Sequence, residues 1–181
     1  DLSKSLKQKY KDKPFLLMTY FNPIYKMGLD KFFKEAKESG IDGFIIPDLP
    51  TEEAQGVKES IESMGLSLVM LLAPTSFKNN RVKSVCEMSS DFVYMVSITG
   101  ITGARDTLPV ESIKQYTELY KMHCQKPMVL GFGISSPSHI DTLKQYVDGV
   151  VVGSHFVKSL KKEGLEGLKK EVKKLSEATY L

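Results

Sequence analysis

The 181 residues contain no tryptophan, only two cysteines and only three histidines. Cys86 and Cys124 lie far apart on segments with helical patterning, in neither a zinc-ligand nor a C-x-x-C spacing. Both are therefore expected to be reduced cytosolic thiols rather than a disulfide pair. No apolar run approaches the ~20 residues of a membrane span, and Asp1 to Lys13 is charged throughout, unlike a secretory leader. A surplus of one charge is missing too. The 25 basic and 22 acidic residues leave +3, spread along the chain, which argues against a nucleic-acid stripe. There is no Ser-His-Asp order, metal-ligand cluster or P-loop. The first residue is Asp rather than Met, so an upstream segment is expected.

What is present is an ordinary globular composition, 41% hydrophobic and 26% charged. It suits one compact domain over 1–181 with a core of its own. Short apolar, β-branched runs alternate with longer amphipathic segments. The runs are Pro14–Tyr20, Gly43–Pro47, Leu66–Ala73, Phe92–Ser97, Pro127–Phe132 and Val147–Val152. Most are near-continuous, the pattern of strands buried on both faces. Between them, Leu29–Ser39 carries one apolar stripe and is closed by Gly40. Thr51 is placed to cap a helix through Val57, Ile61 and Met64, with Glu52 and Glu53 in its first turn. Arg81–Met88, Val110–His123, Ser136–Gln145 and Leu160–Leu175 read as further helices. Six βα units in sequence imply a parallel sheet, either doubly wound and open or closed into a barrel.

Candidate chemistry gathers at strand C-termini. Glycine-rich segments follow the fourth, fifth and sixth runs: 97–104, Gly131–Ser135 and Gly153-Ser154. Such loops let backbone N–H groups turn toward an anion, and a following helix adds a favourable dipole. Small residues after the last two strands of a (β/α)8 barrel are a usual phosphate site. On that count the chain supplies strands three to eight, and the first two units would precede Asp1. Aromatic Tyr20, Tyr94 and Phe132 fall near the same mouth and serve either an apolar ligand pocket or the core. Acids are few. Asp48 ends the second run, where barrel catalysts lie, but ordering the Leu49-Pro50-Thr51 turn is the simpler role. Asp106 can cap the helix that follows it. His123 and His139 are expected to be solvated on helices, and His155 to sit at the surface.

The segments Leu16–Ile24, Pro47–Pro50, Gly100–Ala104, Gly131–Ser135 and Gly153-Ser154 resemble, in order, those of the tryptophan synthase α subunit family, across essentially the whole chain. The resemblance implies a (β/α)8 barrel. It also implies aldol-type cleavage of indole-3-glycerol phosphate to indole and glyceraldehyde 3-phosphate, in the cytoplasm. The implied partner is a β subunit in an α2β2 assembly, to which the pyridoxal phosphate belongs, with no cofactor or metal in this subunit. Residue by residue, Gly103, Gly133, Gly153 and Ser154 match phosphate-binding positions. Tyr94 and Phe132 match the indole pocket, with Tyr20 nearby, and Thr102 matches a loop threonine that bonds the catalytic aspartate. Asn22, Asp48 and Pro50 match the surface facing the β subunit. The family's catalytic glutamate and aspartate would fall before Asp1, so these residues alone are expected to be inactive. The alternatives are a non-catalytic fragment that binds a partner or itself, or another phosphate-binding barrel enzyme of amino-acid biosynthesis.

Overall fold

A computed structural model describes residues 2–78, 81–96, 109–131 and 133–180. In chain order the elements are α1 (Leu2–Lys9), β1 (Leu16–Met18), α2 (Phe21–Met27), α3 (Leu29–Glu38), β2 (Gly43–Ile45), α4 (Ala54–Ser63) and β3 (Ser67–Val69). They continue as β4 (Leu71–Leu72), α5 (Pro74–Lys78), α6 (Val82–Met88), β5 (Val93–Val96), α7 (Val110–His123), β6 (Met128–Gly131), α8 (Pro137–Leu143), β7 (Gly149–Val151) and α9 (Ser154–Glu177). The alternation of strands and helices is the one read from the sequence. The residues form two compact units: 1–71 with 83–93, and 72–82 with 94–181.

In the first unit, β1, β2 and β3 form one sheet in that order. Both pairings are parallel, with Met18 opposite Ile45 and Ile45 opposite Val69. The two helices that feed this sheet stop in the same way. After α3, Gly40 adopts φ 82°; its N–H donates to the Lys37 carbonyl and that of Ile41 to Ala36. After α4, Gly65 adopts φ 68°, with Gly65 donating to Glu62 and Leu66 to Ile61. Both are Schellman closures, which need a residue tolerant of positive φ. The core here is Phe33 packed on Phe44 at 5.0 Å between ring centroids, with Ile24, Ile61 and Leu68 fully buried. Lys7 docks α1: its Nζ donates to both oxygens of Asp42, and Asp42 also accepts the Phe15 N–H.

Three expectations are corrected in this unit. The apolar run 66–73 is not one strand but two, broken at Met70 between the two sheets. The free edge of β3 is satisfied by side chains instead of a further strand. Leu68 N–H donates to the Ser90 hydroxyl and Met70 N–H to Ser89, whose hydroxyl in turn donates to the Phe92 carbonyl. Secondly, β1 is exposed along its length, 36% at Leu16 and 52% at Met18, although its run reads as buried on both faces. It is an edge strand, so half of its pairing surface has no neighbour among the described residues. Thirdly, Thr51 does not cap α4, which begins at Ala54 with Glu53 before it and no side-chain cap. The Thr51 hydroxyl lies on Glu52 instead.

In the second unit the sheet order is β4-β5-β6-β7. β6 and β7 are parallel, with Gly131 opposite Val151. Met95, Met128, Leu130, Ile113, Leu143 and Tyr120 form its buried core. Asp148, before β7, accepts the Met128 N–H and so ties the starts of β6 and β7 together. Tyr120 donates to the Lys126 carbonyl, and burial, then the Asp148 charge, push its phenol far above its ordinary pKa. Neither cysteine is a reduced thiol: Cys86 and Cys124 are both disulfide-bonded. Linear spacing gave no sign of this, because disulfide pairing depends on distance in the fold rather than along the chain.

Candidate functional site

Two sets of candidate residues are brought together, one in each unit. In the second unit the set sits past the ends of β6 and β7. Gly131 and Val151 are register partners, so Gly133 and Gly153 each follow two residues beyond the same rung. The loops that were matched to phosphate binding are therefore side by side. Gly133 takes φ 39°, a left-handed value. Gly153 precedes α9 and has no side chain to cap it, and among the described residues no side chain accepts a first-turn N–H of that helix. Its first-turn N–H groups, Ser154 included, are left for another acceptor, at the positive end of the helix dipole of roughly half a charge.

Tyr94 of β5 joins this set. Its ring lies on Gly131, where a Cβ would overlap the ring carbons and hydroxyl. Only a residue without a side chain lets the tyrosine cross the end of β6. Burial holds the Tyr94 phenol above its ordinary pKa, so it is neutral and can donate a hydrogen bond near neutral pH. Gly103, Thr102, Phe132, Asp106 and the rest of the 97–104 segment lie outside the described residues.

The other set, Tyr20, Asn22, Asp48 and Pro50, belongs to the first unit. It occupies the loops after β1 and β2, which are register partners at Met18 and Ile45. Tyr20 precedes α2 and is 66% exposed. Asn22 and Pro50 are exposed as well. Asp48 does more than order its own turn: its Oδ1 accepts the Phe21 N–H at 2.8 Å, capping α2 from the neighbouring loop. That use of the carboxylate leaves it a structural task instead of a free proton-transfer role.

Two histidine roles escaped the sequence reading. His139 is half-buried rather than solvated, and its Nδ1 accepts the Ser135 N–H at 3.4 Å. Ser136 caps α8 by accepting the His139 N–H. The two bonds differ from a capping box, because His139 accepts from the residue before the cap rather than from the cap itself. The signal for the cap itself was a serine directly before Pro137 at the helix start. The two bonds fix the chain that leaves the Gly133 loop. His155 is not simply at the surface: its Nε2 is 2.9 Å from Glu171. His123 is exposed, as expected. Among the described residues no group of three or more His, Cys, Asp or Glu could hold a metal ion, and no helix is long and apolar enough to cross a membrane.

Parallel βα units with glycine loops at the ends of adjacent strands are the architecture of the (β/α)8-barrel class. The comparisons with known proteins narrow that class. The sequence model described as "Tryptophan synthase alpha chain" matches residues 1–180. The tryptophan synthase alpha chain of Aquifex aeolicus is 48% identical over 177 residues, 98% of this chain and 67% of the relative. That of a Thermoanaerobacter strain is 42% identical, covering 92% and 64%. A solved chain from Aquifex aeolicus superposes with a TM-score of 0.86 at 45% identity, covering 98% of this chain and 66% of that one. A chain from a structure of the α2β2 tryptophan synthase complex of Pyrococcus furiosus gives 0.83 at 36% identity, covering 97% and 71%. The chain belongs to the tryptophan synthase alpha chain family. It spans about two thirds of the length of the relatives it matches. The fold class and the family read from the sequence are both borne out, and the alternative of a different phosphate-binding barrel family is not.

Proposed function

We propose that this chain carries the phosphate side and part of the indole side of a carbon–carbon lyase that cleaves indole-3-glycerol phosphate to indole and glyceraldehyde 3-phosphate. The observation that carries this is the uncapped N-terminus of α9 next to the Gly133 loop, in a chain that matches the family over residues 1–180. The substrate phosphate is received by the first-turn amides at Gly153 and Ser154 and by the backbone at Gly133, with Gly103 contributing from the preceding loop. Anchoring the phosphate fixes the rest of the substrate and converts binding into orientation. Tyr94 serves the indole side, and the resemblance adds Phe132, Tyr20 and Thr102 to the substrate residues.

General acid–base groups are each worth about 10²–10⁴-fold. The family resemblance assigns them to a glutamate and an aspartate that match no residue of these segments, and Asp48 is engaged as a cap. The 181 residues by themselves are therefore proposed to bind the phosphate but not to release indole. Asn22, Asp48 and Pro50 form the face toward a β subunit, which would carry the pyridoxal phosphate of an α2β2 cytoplasmic assembly. Two assays test this: indole release from indole-3-glycerol phosphate, and a titration with inorganic phosphate followed at the Gly153 and Ser154 amides. Phosphate binding without indole release is expected. Indole release by this chain alone overturns the placement of the catalytic acids, and absence of phosphate binding overturns the site.

A second reading is a self-associating fragment, which the exposed apolar edge of β1 favours. A concentration-dependent molar mass, abolished by Leu17→Lys, supports it. A monomer at high concentration dismisses it.

A further inference from the structure

The longest helix is broken. Gly164, at φ 69° and ψ −164°, separates Ser154–Glu163 from Leu165–Glu177 within α9. The first segment is weakly held by burial. Val157 and Leu160 are 53% and 45% exposed, and Ser159 is its one buried residue, with a hydroxyl that has no hydrogen-bond partner. A segment anchored so lightly is free to pivot about the glycine unless something crosses the break.

A polar contact does cross it. His155 Nε2 and Glu171 Oε2 are 2.9 Å apart, with the two side chains 25% and 19% exposed. A carboxylate only accepts, so Nε2 carries the proton in this contact. Lys174 lies 3.7 Å from the other Glu171 oxygen. The His155 bond holds the Glu171 carboxyl below its ordinary range, against the opposing pull of burial, with the Lys174, His155 and Lys170 charges assisting. His155 is the second residue of α9, directly after Ser154. Fixing its ring fixes the direction of the first-turn amides.

We infer that Glu171 is a positioning residue for phosphate: by holding His155 it sets the orientation of the Gly153–His155 turn toward the anion. The inference rests on the phosphate reading given above.

The test is titration of inorganic phosphate into the ¹⁵N-labelled protein, read at the amides of residues 153–155. Glu171→Ala is expected to move these amides before phosphate is added and to weaken phosphate binding at least tenfold. Glu171→Gln, which still accepts the His155 proton, is expected to restore most of the affinity. A purely structural role would instead lower stability without this selective rescue. Unchanged affinity in Glu171→Ala overturns the inference and leaves the phosphate site standing. No shift at Gly153 and Ser154 in the unaltered protein removes both. Should Glu171→Ala fail to fold, His155→Leu removes the same bond from the other side. Affinity equal to the unaltered protein in that variant is equally decisive against the inference.

Discussion

The N-terminus of α2 and that of α9 face opposite fates. In the first, the Phe21 amide is already taken by the Asp48 carboxylate. In the second, Gly153 supplies no side chain, and among the described residues no side chain accepts from the first turn. Both helices follow strands at the sheet end where ligands of βα folds collect. The difference lies in whether a neighbouring loop reaches over with an acceptor, as Asp48 does for α2. An aspartate satisfies the helix from within and closes it to an external anion. A glycine leaves the dipole and the amides for a ligand. On the proposed reading, anion capacity is a matter of withheld capping, at a stability cost of only about a few tenths of a kcal/mol for a glycine at the cap position.

The largest effect should come where the open site is packed most tightly. Gly131→Ala puts a methyl group into the Tyr94 ring and should cost roughly 1–3 kcal/mol, measured as a drop in the urea midpoint. Adding Tyr94→Ala should recover part of the loss, and additivity of the two changes would sever the link between them. Next, Gly153→Asp converts the open terminus into a closed one. Nothing lies within 4 Å of a Cβ there, so the side chain fits. The variant should gain about 0.5–1 kcal/mol of stability while losing phosphate affinity tenfold or more by calorimetry. Retained affinity would break the comparison outright. The converse, Asp48→Ala, opens α2 and should cost about 1 kcal/mol, with Asp48→Asn close to the unaltered protein and phosphate binding unaffected in both.

The smallest effect is in pH. The Glu171 carboxyl is held below its unfolded value, chiefly by the His155 bond. Its contribution is therefore fully present above the ordinary glutamate range and is lost as the pH falls through the lower folded value. For a partly exposed pair this is under about 1 kcal/mol. Melting temperatures of the unaltered protein and Glu171→Gln should differ at pH 7 and converge as the pH falls through that lowered value. A difference that persists unchanged at low pH would remove the pair from the acid limb of stability.

The repeating βα pattern was legible because its cues are local. Near-continuous apolar runs marked the strands, and Gly40 marked the end of α3 by needing positive φ. Val110–His123 matched α7 residue for residue. What escaped depends on neighbours distant in sequence. The 66–73 run shows no break at Met70 in its hydropathy, since the break follows from Ser89 and Ser90 reaching back about twenty positions. The bond from Phe21 to Asp48 spans 27 positions, so the aspartate could be assigned only to its own turn. In the candidate site, Gly133, Gly153 and Ser154 were singled out by residue type, and Tyr94 as an aromatic at a strand end and then by resemblance. The Gly131 contact and the His155–Glu171 pair needed coordinates.

The serines beside β3 have a consequence on the timescale of amide exchange. A backbone ladder releases its protons only when strands part, whereas a hydroxyl acceptor can swing away by a single χ1 rotation. Leu68 and Met70, although buried, should thus surrender their amide protons to deuterium sooner than Val69, whose neighbouring rung belongs to β2. Alternate fast and slow residues along three consecutive positions would give this strand an isotopic signature that an ordinary sheet interior lacks.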